Sequence, residues 1–241
     1  MSALAAATRA ELAVTLRNGE QLLLALGIPV LLLTFFSLVD VLPLPEGVDD
    51  PVEFLAPGVL ALAIMSSAFT GLAITTGFDR QYGVLKRLGA TPLGRPRLLA
   101  AKTGVVVAVQ LVQLAVLVPV GLALGWRPEV DPPVVVGAVV LGTVAFAGLG
   151  LLLGGTLPGL VTLAAANGIY LVLLLFGDIV IPLDELPAGI AAVARLLPSA
   201  ALAELLRAGL GGPDAPPRAW AVLTGWAVIG PLAAARWFRW E

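Results

Sequence analysis

The chain has 241 residues, of which 59% are hydrophobic and 12% charged, with 27 Gly, 19 Pro and a net charge of −2. A soluble domain carries about twice that share of charge, and disorder needs low hydropathy with high charge; both classes are excluded, which leaves a membrane protein with several spans. With no Cys and no His, disulfides, thiol catalysis, haem ligation, Ser-His-Asp triads and HExxH zinc sites are excluded as well.

Residues 2–18 set Leu4, Leu12 and Leu16 at helical spacing, with Arg9, Glu11 and Arg17 on other faces. That is the pattern of a short interfacial helix over residues 1–20; a solvated lead-in is the other reading. A span needs about 20 mainly apolar residues. The first such run covers 21–42 and reads as a retained helix, since no net positive charge precedes it and no cleavage site follows Phe36. The second covers 54–78. A basic loop follows, in which Thr91 and Pro92 form a helix start with the hydroxyl as cap and Pro at the first helical position. Spans three to six cover 103–126, 134–157, 159–182 and 219–237. Between the last two, residues 183–210 hold apolar stretches too short to cross, interrupted by Pro187 and Pro198. There Ser199–Leu210 reads as a capped amphipathic helix, with Glu204 and Arg207 on its polar side, dipping into the outer leaflet. Arg236 to Trp240 alternates Arg with aromatics, as an interfacial anchor does. The whole is one all-α integral membrane domain over 1–241.

Basic residues mark the cytoplasmic side of a membrane protein. Six spans put both termini, the 79–102 loop and the 157–159 turn on one side, with 10 of the 14 basic and 4 of the 16 acidic residues, a net of +6. The other side then carries −8, so both termini are expected in the cytoplasm. The 12 Arg against 2 Lys, with abundant Ala, Gly and Pro, point to a GC-rich bacterial genome and so to a bacterial cytoplasmic membrane.

The 79–92 loop carries the most information. Tyr82, Leu85 and Leu88 fall on one face of a short helix surrounded by Arg80, Lys86 and Arg87. An apolar ridge flanked by positive charge suits a groove on a soluble partner; an ordinary positive-inside loop is the plainer reading. The set Asp79, Arg80, Gly83, Leu85, Leu88, Thr91 and Pro92 resembles the first cytoplasmic loop of permease subunits of ABC-2 type transporters, which reads like E-R-E-x-G-T-L-E-x-L-x-x-T-P. Leu197-Pro198 through Arg207 is similar to the family's N-P-x-x-x-x-x-x-x-x-R stretch. Gln81 and Lys86 depart from the acidic residues common there. The resemblance implies a layout of interfacial helix, six spans, a coupling helix between spans two and three that docks on a P-loop ATPase subunit, and extracellular short helices between spans five and six. It implies that ATP and Mg bind to the ATPase, in two copies, and that the loop contacts come from Asp79, Arg80, Tyr82, Gly83, Leu85, Lys86, Arg87, Leu88, Thr91 and Pro92. No GxxxxGK[ST] occurs in the chain, which itself binds no cofactor on this reading.

Within the spans, Ser66, Ser67 and Thr70, together with Asn167 and Tyr170, are candidates to line a path, among other polar positions such as Gln110, Gln113 and Thr143. Asp178 is the acidic residue tied to an apolar run, and an ionisable group there is a functional candidate; a water-exposed pair with Arg195 or Arg207 is favoured over proton relay. The Gly148–Gly155 run, with Gly121/Gly125 and Gly150/Gly154, has the small-residue spacing of close helix packing, and dimerisation is the sharper reading. One half is too small to enclose a path, so a second permease half, identical or sister, is expected beside membrane lipid, and no nucleic acid. The function expected is ATP-driven export of a hydrophobic or amphipathic molecule such as a drug, lipid or lipid-linked metabolite. The alternative is an ATP-independent carrier or a membrane scaffold.

Overall fold

The computed structural model describes the backbone of residues 19–39, 50–89 and 94–239, and the side chains of 26–39, 50–87 and 101–239. The expected interfacial helix, Thr91 and Pro92, Trp240 and the side chain of Leu88 lie outside the described residues. All regular structure within them is helical: α1 Gly19–Leu38, α2 Pro51–Gln81, α3 Val84–Gly89, α4 Gly94–Ala123, α5 Pro132–Thr156, α6 Gly159–Phe176, α7 Ala188–Ala194, α8 Pro198–Ala208 and α9 Pro217–Trp237. Among the described residues, five helices are long and apolar enough to cross a membrane: α2, α4 from Ala101, α5, α6 and α9. In α1 the described apolar stretch is Leu26–Leu38.

Five elements have bounds other than expected, the first being α1, which runs Gly19–Leu38 rather than 21–42. Helix α2 starts at Pro51, because Asp50 is extended and a proline is preorganised for the first helical position. Helix α4 begins well before the expected 103, since Arg95, Arg97 and Lys102 do not stop a helix, and it ends at Ala123 rather than 126. Gly125 there takes φ +102°, and the chain turns back so that the Trp126 amide donates to the Gly121 carbonyl at 3.0 Å. Helix α6 stops at Phe176 instead of 182; the chain turns through Gly177 and Asp178, the latter at φ +57°. Helix α8 opens at Pro198 after an extended Leu197, so the capping expected of Ser199 is absent and its hydroxyl is buried without a partner.

Helix α2 is the most enclosed of the five, buried almost without a break from Val52 to Met65. At Ser66–Gly71 its regular turns widen into a π-helical segment. Hydroxyls bracket that segment: Ser67 donates to the carbonyls of Ala63 at 3.0 Å and Ile64 at 3.2 Å, and Thr75 to those of Gly71 at 2.8 Å and Leu72 at 3.2 Å. Such hydroxyls serve carbonyls that a wider turn leaves poorly paired.

Helix α5 packs on both α2 and α9, and its glycines explain how. A Cβ at Gly150 would stand 2.8 Å from the Phe69 carbonyl oxygen, one at Gly154 3.1 Å from the Gly77 nitrogen, and Gly148 faces the Gly230–Pro231 backbone. Backbone on backbone is what small residues permit in a membrane, where lipid supplies no hydrophobic drive between helices. Gly150 and Gly154 thus pack inside the chain. Gly121 does something else: its missing Cβ makes room for the Trp126 ring, 2.9 Å from where that atom would be. Gly125 has open space beside it and serves the turn through its positive φ.

The helices place two groups of chain segments at opposite ends. At one end, here the loop end, the close of α2 meets the α5–α6 turn and the close of α9: the Arg239 amide donates to the Gly155 carbonyl at 2.9 Å, and Gly159 abuts Phe78 and Gln81. At the other end the start of α2 meets the Asp178 turn and α8, and the Asp131 amide donates to the Gly209 carbonyl at 2.8 Å. There α7 and α8 form a broken pair bent by 82°.

Candidate functional site

At the loop end, α2 closes with Tyr82 as its last half-turn, and Gly83 at φ +68° redirects the chain into α3. A left-handed backbone is costly for residues with a Cβ, so glycine is what lets two helices abut without a longer linker. This break splits the expected ridge. Tyr82 stays on the outside, 65% exposed, stacked on Phe78 with ring centroids 6.0 Å apart, whereas Leu85 is fully buried. Leu85 therefore holds α3 to the bundle and is no part of an exposed ridge. Gln81, Tyr82, Lys86 and Arg87 form the exposed face, and Arg87 turns back to donate to the Tyr82 carbonyl at 3.1 Å.

The two charges at the start of this motif point inward. Asp79 accepts from Lys102 of α4 at 2.5 Å, with the lysine 5% exposed. Arg80 donates one guanidinium nitrogen to the Gly155 carbonyl at 3.1 Å and the other to the Leu157 carbonyl. Those carbonyls close α5, where the last groups of a helix lack intrahelical partners and its dipole is negative. The Thr162 hydroxyl donates to the Leu157 carbonyl as well, at 3.0 Å. Lys102 is the partner that sequence reasoning missed, for it lies 23 residues from Asp79.

Of the mid-span candidates, Ser66 and Tyr170 are brought within reach of each other. Ser67 is satisfied by its own helix, and the Thr70 hydroxyl is buried without a partner. Asn167 is not gathered with them; it is exposed and donates to the Leu163 carbonyl of its own helix at 2.9 Å. A second polar contact joins α4 to α5: the Thr143 hydroxyl donates to Gln110 Oε1 at 3.1 Å.

At the opposite end Asp178 pairs with Arg207 and not with Arg195, which binds Asp184 at 3.1 Å. The pair is buried, not water-exposed, with side chains 10% and 12% accessible. Arg207 also donates to the Asp178 and Phe54 carbonyls, and its guanidinium lies 4.0 Å from the centre of the Phe54 ring. Asp178 accepts from the Leu183 amide at 3.0 Å. Glu204, one turn before Arg207, takes Arg218 of α9 at 2.6 Å. The side of α8 expected to be polar is thus its binding edge to α2, α9 and the Asp178 turn, since each charge finds an internal partner.

These two charged ends, joined by apolar helices, agree with a comparison against protein-family models. The ABC-2 type transporter model matches residues 2–210. The chain belongs to the ABC-2 type transporter family. No curated protein matches it. As an ABC-2 protein it is a multi-pass membrane component of an ABC transporter, a class that works with an ABC ATPase subunit and is not itself the ATPase. The matched range takes in the loop end from Asp79 to Arg87 and the whole Asp178–Arg207 cluster.

Proposed function

We propose that this ABC-2 protein is the permease half of an ATP-driven exporter of a hydrophobic or amphipathic molecule from a bacterial cell, with six spans, both termini in the cytoplasm, and a second permease half completing the path. The observation that carries the reading is the exposed face of Gln81, Tyr82, Lys86 and Arg87 beyond the Gly83 break. An exposed aromatic with two cations, set on a short helix anchored by buried Leu85, is a peg that a groove on a soluble subunit can hold. The partner is an ABC ATPase in two copies, which binds ATP and Mg. The absence of charge from the middle of the apolar helices supports an apolar cargo, and the basic residues of the loop end, with α1 taken as a sixth span, support a cytoplasmic position for that end.

The test is co-purification in mild detergent with the ABC ATPase of the same genome. Wild type should retain it, and Tyr82→Ala with Arg87→Glu should lose it while keeping a normal melting profile. Retention by that variant moves the docking surface elsewhere. Failure of wild type to hold any ATPase, in native lipid too, ends the exporter reading.

A further inference from the structure

The bonds at the loop end tie α3 to the bundle unevenly. Four contacts bind the close of α2 to the α5–α6 turn: Arg80 to the Gly155 and Leu157 carbonyls, Thr162 against Gly77, Gly154 against Ala73 and Gly77, and Gly159 against Phe78 and Gln81. The last three are small-residue contacts that hold by shape. Arg80 is the one charged and forked link, and it sits three residues before the Gly83 break. Beyond Gly83, α3 is anchored by buried Leu85 and tied back by Arg87 to the Tyr82 carbonyl.

We propose that Arg80 is a positioning residue of the transport cycle: its guanidinium fork carries displacement of the α3 peg into the α5–α6 turn, so that these helices move with the ATPase. The inference rests on the exporter reading above. A single glycine with positive φ joins the peg to α2, and Arg87 of α3 braces that joint by donating to the Tyr82 carbonyl at 3.1 Å, so displacement of the peg reaches the end of α2. Arg80 carries it on from there. Its two donors span Gly155 and Leu157, on either side of the last residue of α5, so the turn cannot shift relative to α2 without breaking a charge-assisted bond. The same carbonyl of Gly155 also receives the Arg239 amide, which brings the end of α9 into the same body. Force applied at Tyr82 therefore reaches three spanning helices at one point. A lysine keeps the charge but, as a single point donor, cannot hold both carbonyls in one geometry.

This chain has no cysteine, so one introduced thiol is the chain's own reporter once labelling is read on its separated band. Leu160, in the first turn of α6, is 69% exposed. In the reconstituted complex, the maleimide reaction rate of Leu160→Cys should change by about fivefold or more between the nucleotide-free state and the state trapped with Mg·ATP and vanadate. Adding Arg80→Gln should leave ATPase capture, ATP hydrolysis and the nucleotide-free labelling rate at wild-type values, yet abolish the response at position 160. Arg80→Lys should restore only part of it. An undiminished response in Arg80→Gln overturns the proposal. So does loss of ATPase capture in that variant, which would make Arg80 a docking residue, or an unresponsive Leu160→Cys in the otherwise wild-type complex. Should Arg80→Gln alter the nucleotide-free labelling rate, Arg80→Lys decides: a full response there overturns the proposal. Failure of the exporter reading looks different, since wild type then captures no ATPase at all.

Discussion

Removing Arg207 should destabilise the protein far more than removing the ion pair whole. In Arg207→Met the Asp178 carboxylate stays where it is, 7% exposed, keeping the Leu183 amide as its partner and losing the guanidinium. An uncompensated buried charge left by deleting one partner costs about 3–5 kcal/mol. For a chain of this size each kcal/mol moves the midpoint by about 2–4 °C, so the shift should be about 6–20 °C downward. Arg207→Met with Asp178→Leu removes both charges, replaces them by side chains of similar volume, and should recover most of that loss. It will not recover all, because Leu has no acceptor for the Leu183 amide and disfavours φ +57°. The assay is thermal unfolding in detergent, followed by the fluorescence of the chain's tryptophans, on wild type, both single variants and the double. Purely additive effects across the four would refute the reasoning, as would a single-variant shift under about 2 °C.

Leu85→Ala should cost about 2–5 kcal/mol as a buried truncation, whereas Tyr82→Ala, on an exposed residue, should stay within about 0.5 kcal/mol; melting of the two variants separates anchor from peg. Gly150→Ala puts a methyl group 2.8 Å from the Phe69 carbonyl oxygen and should cost about 1–3 kcal/mol by overpacking. Gly125→Ala should cost about 1–2 kcal/mol because φ is +102° there, with no change in oligomeric state by mass measurement in detergent. Hydrogen exchange along α2 should be fastest within Ser66–Gly71, where the bonding pattern is irregular; equal protection along the whole helix would contradict that assignment.

Much of the fold was legible because length and hydropathy fix where a chain can cross a membrane. The runs at 134–157 and 219–237 differ from α5 and α9 by a residue or two. What failed was anything set by contact between segments. Asp178 lies in an apolar run that hydropathy extends to 182, but α6 ends before it at Gly177, and Asp178 pairs with Arg207, 29 residues away. Helical spacing sets Leu85 on one face with Tyr82, three residues before it, and that spacing holds only if no break intervenes. The deciding residue, Gly83, was in plain view, yet its positive φ depends on α3 packing back. Gly121 and Gly125 carry a perfect small-residue spacing and serve Trp126 and a helix stop instead. Spacing gives the faces of an uninterrupted helix; interruptions come from partners far along the chain.

The basic character of the loop end now divides into two uses. A count of charges treats Arg80 and Lys102 as equal to Lys86 and Arg87 in drawing the loop to the cytoplasm. In the fold the first two are spent on Gly155, Leu157 and Asp79, and the other two face outward. A count of charge weighs all four alike, whereas in the fold Arg80 and Lys102 are internal ties of the bundle. Reversing the sign at Lys86 or Arg87 acts on the exposed face and on the Arg87 bond to the Tyr82 carbonyl, whereas a change at Arg80 or Lys102 reaches into α5, α6 and α4. That is why the loop reads as one motif in sequence but forms two layers in space, an outer one of Gln81, Tyr82, Lys86 and Arg87 and an inner one of Asp79, Arg80 and Lys102 tied to the bundle.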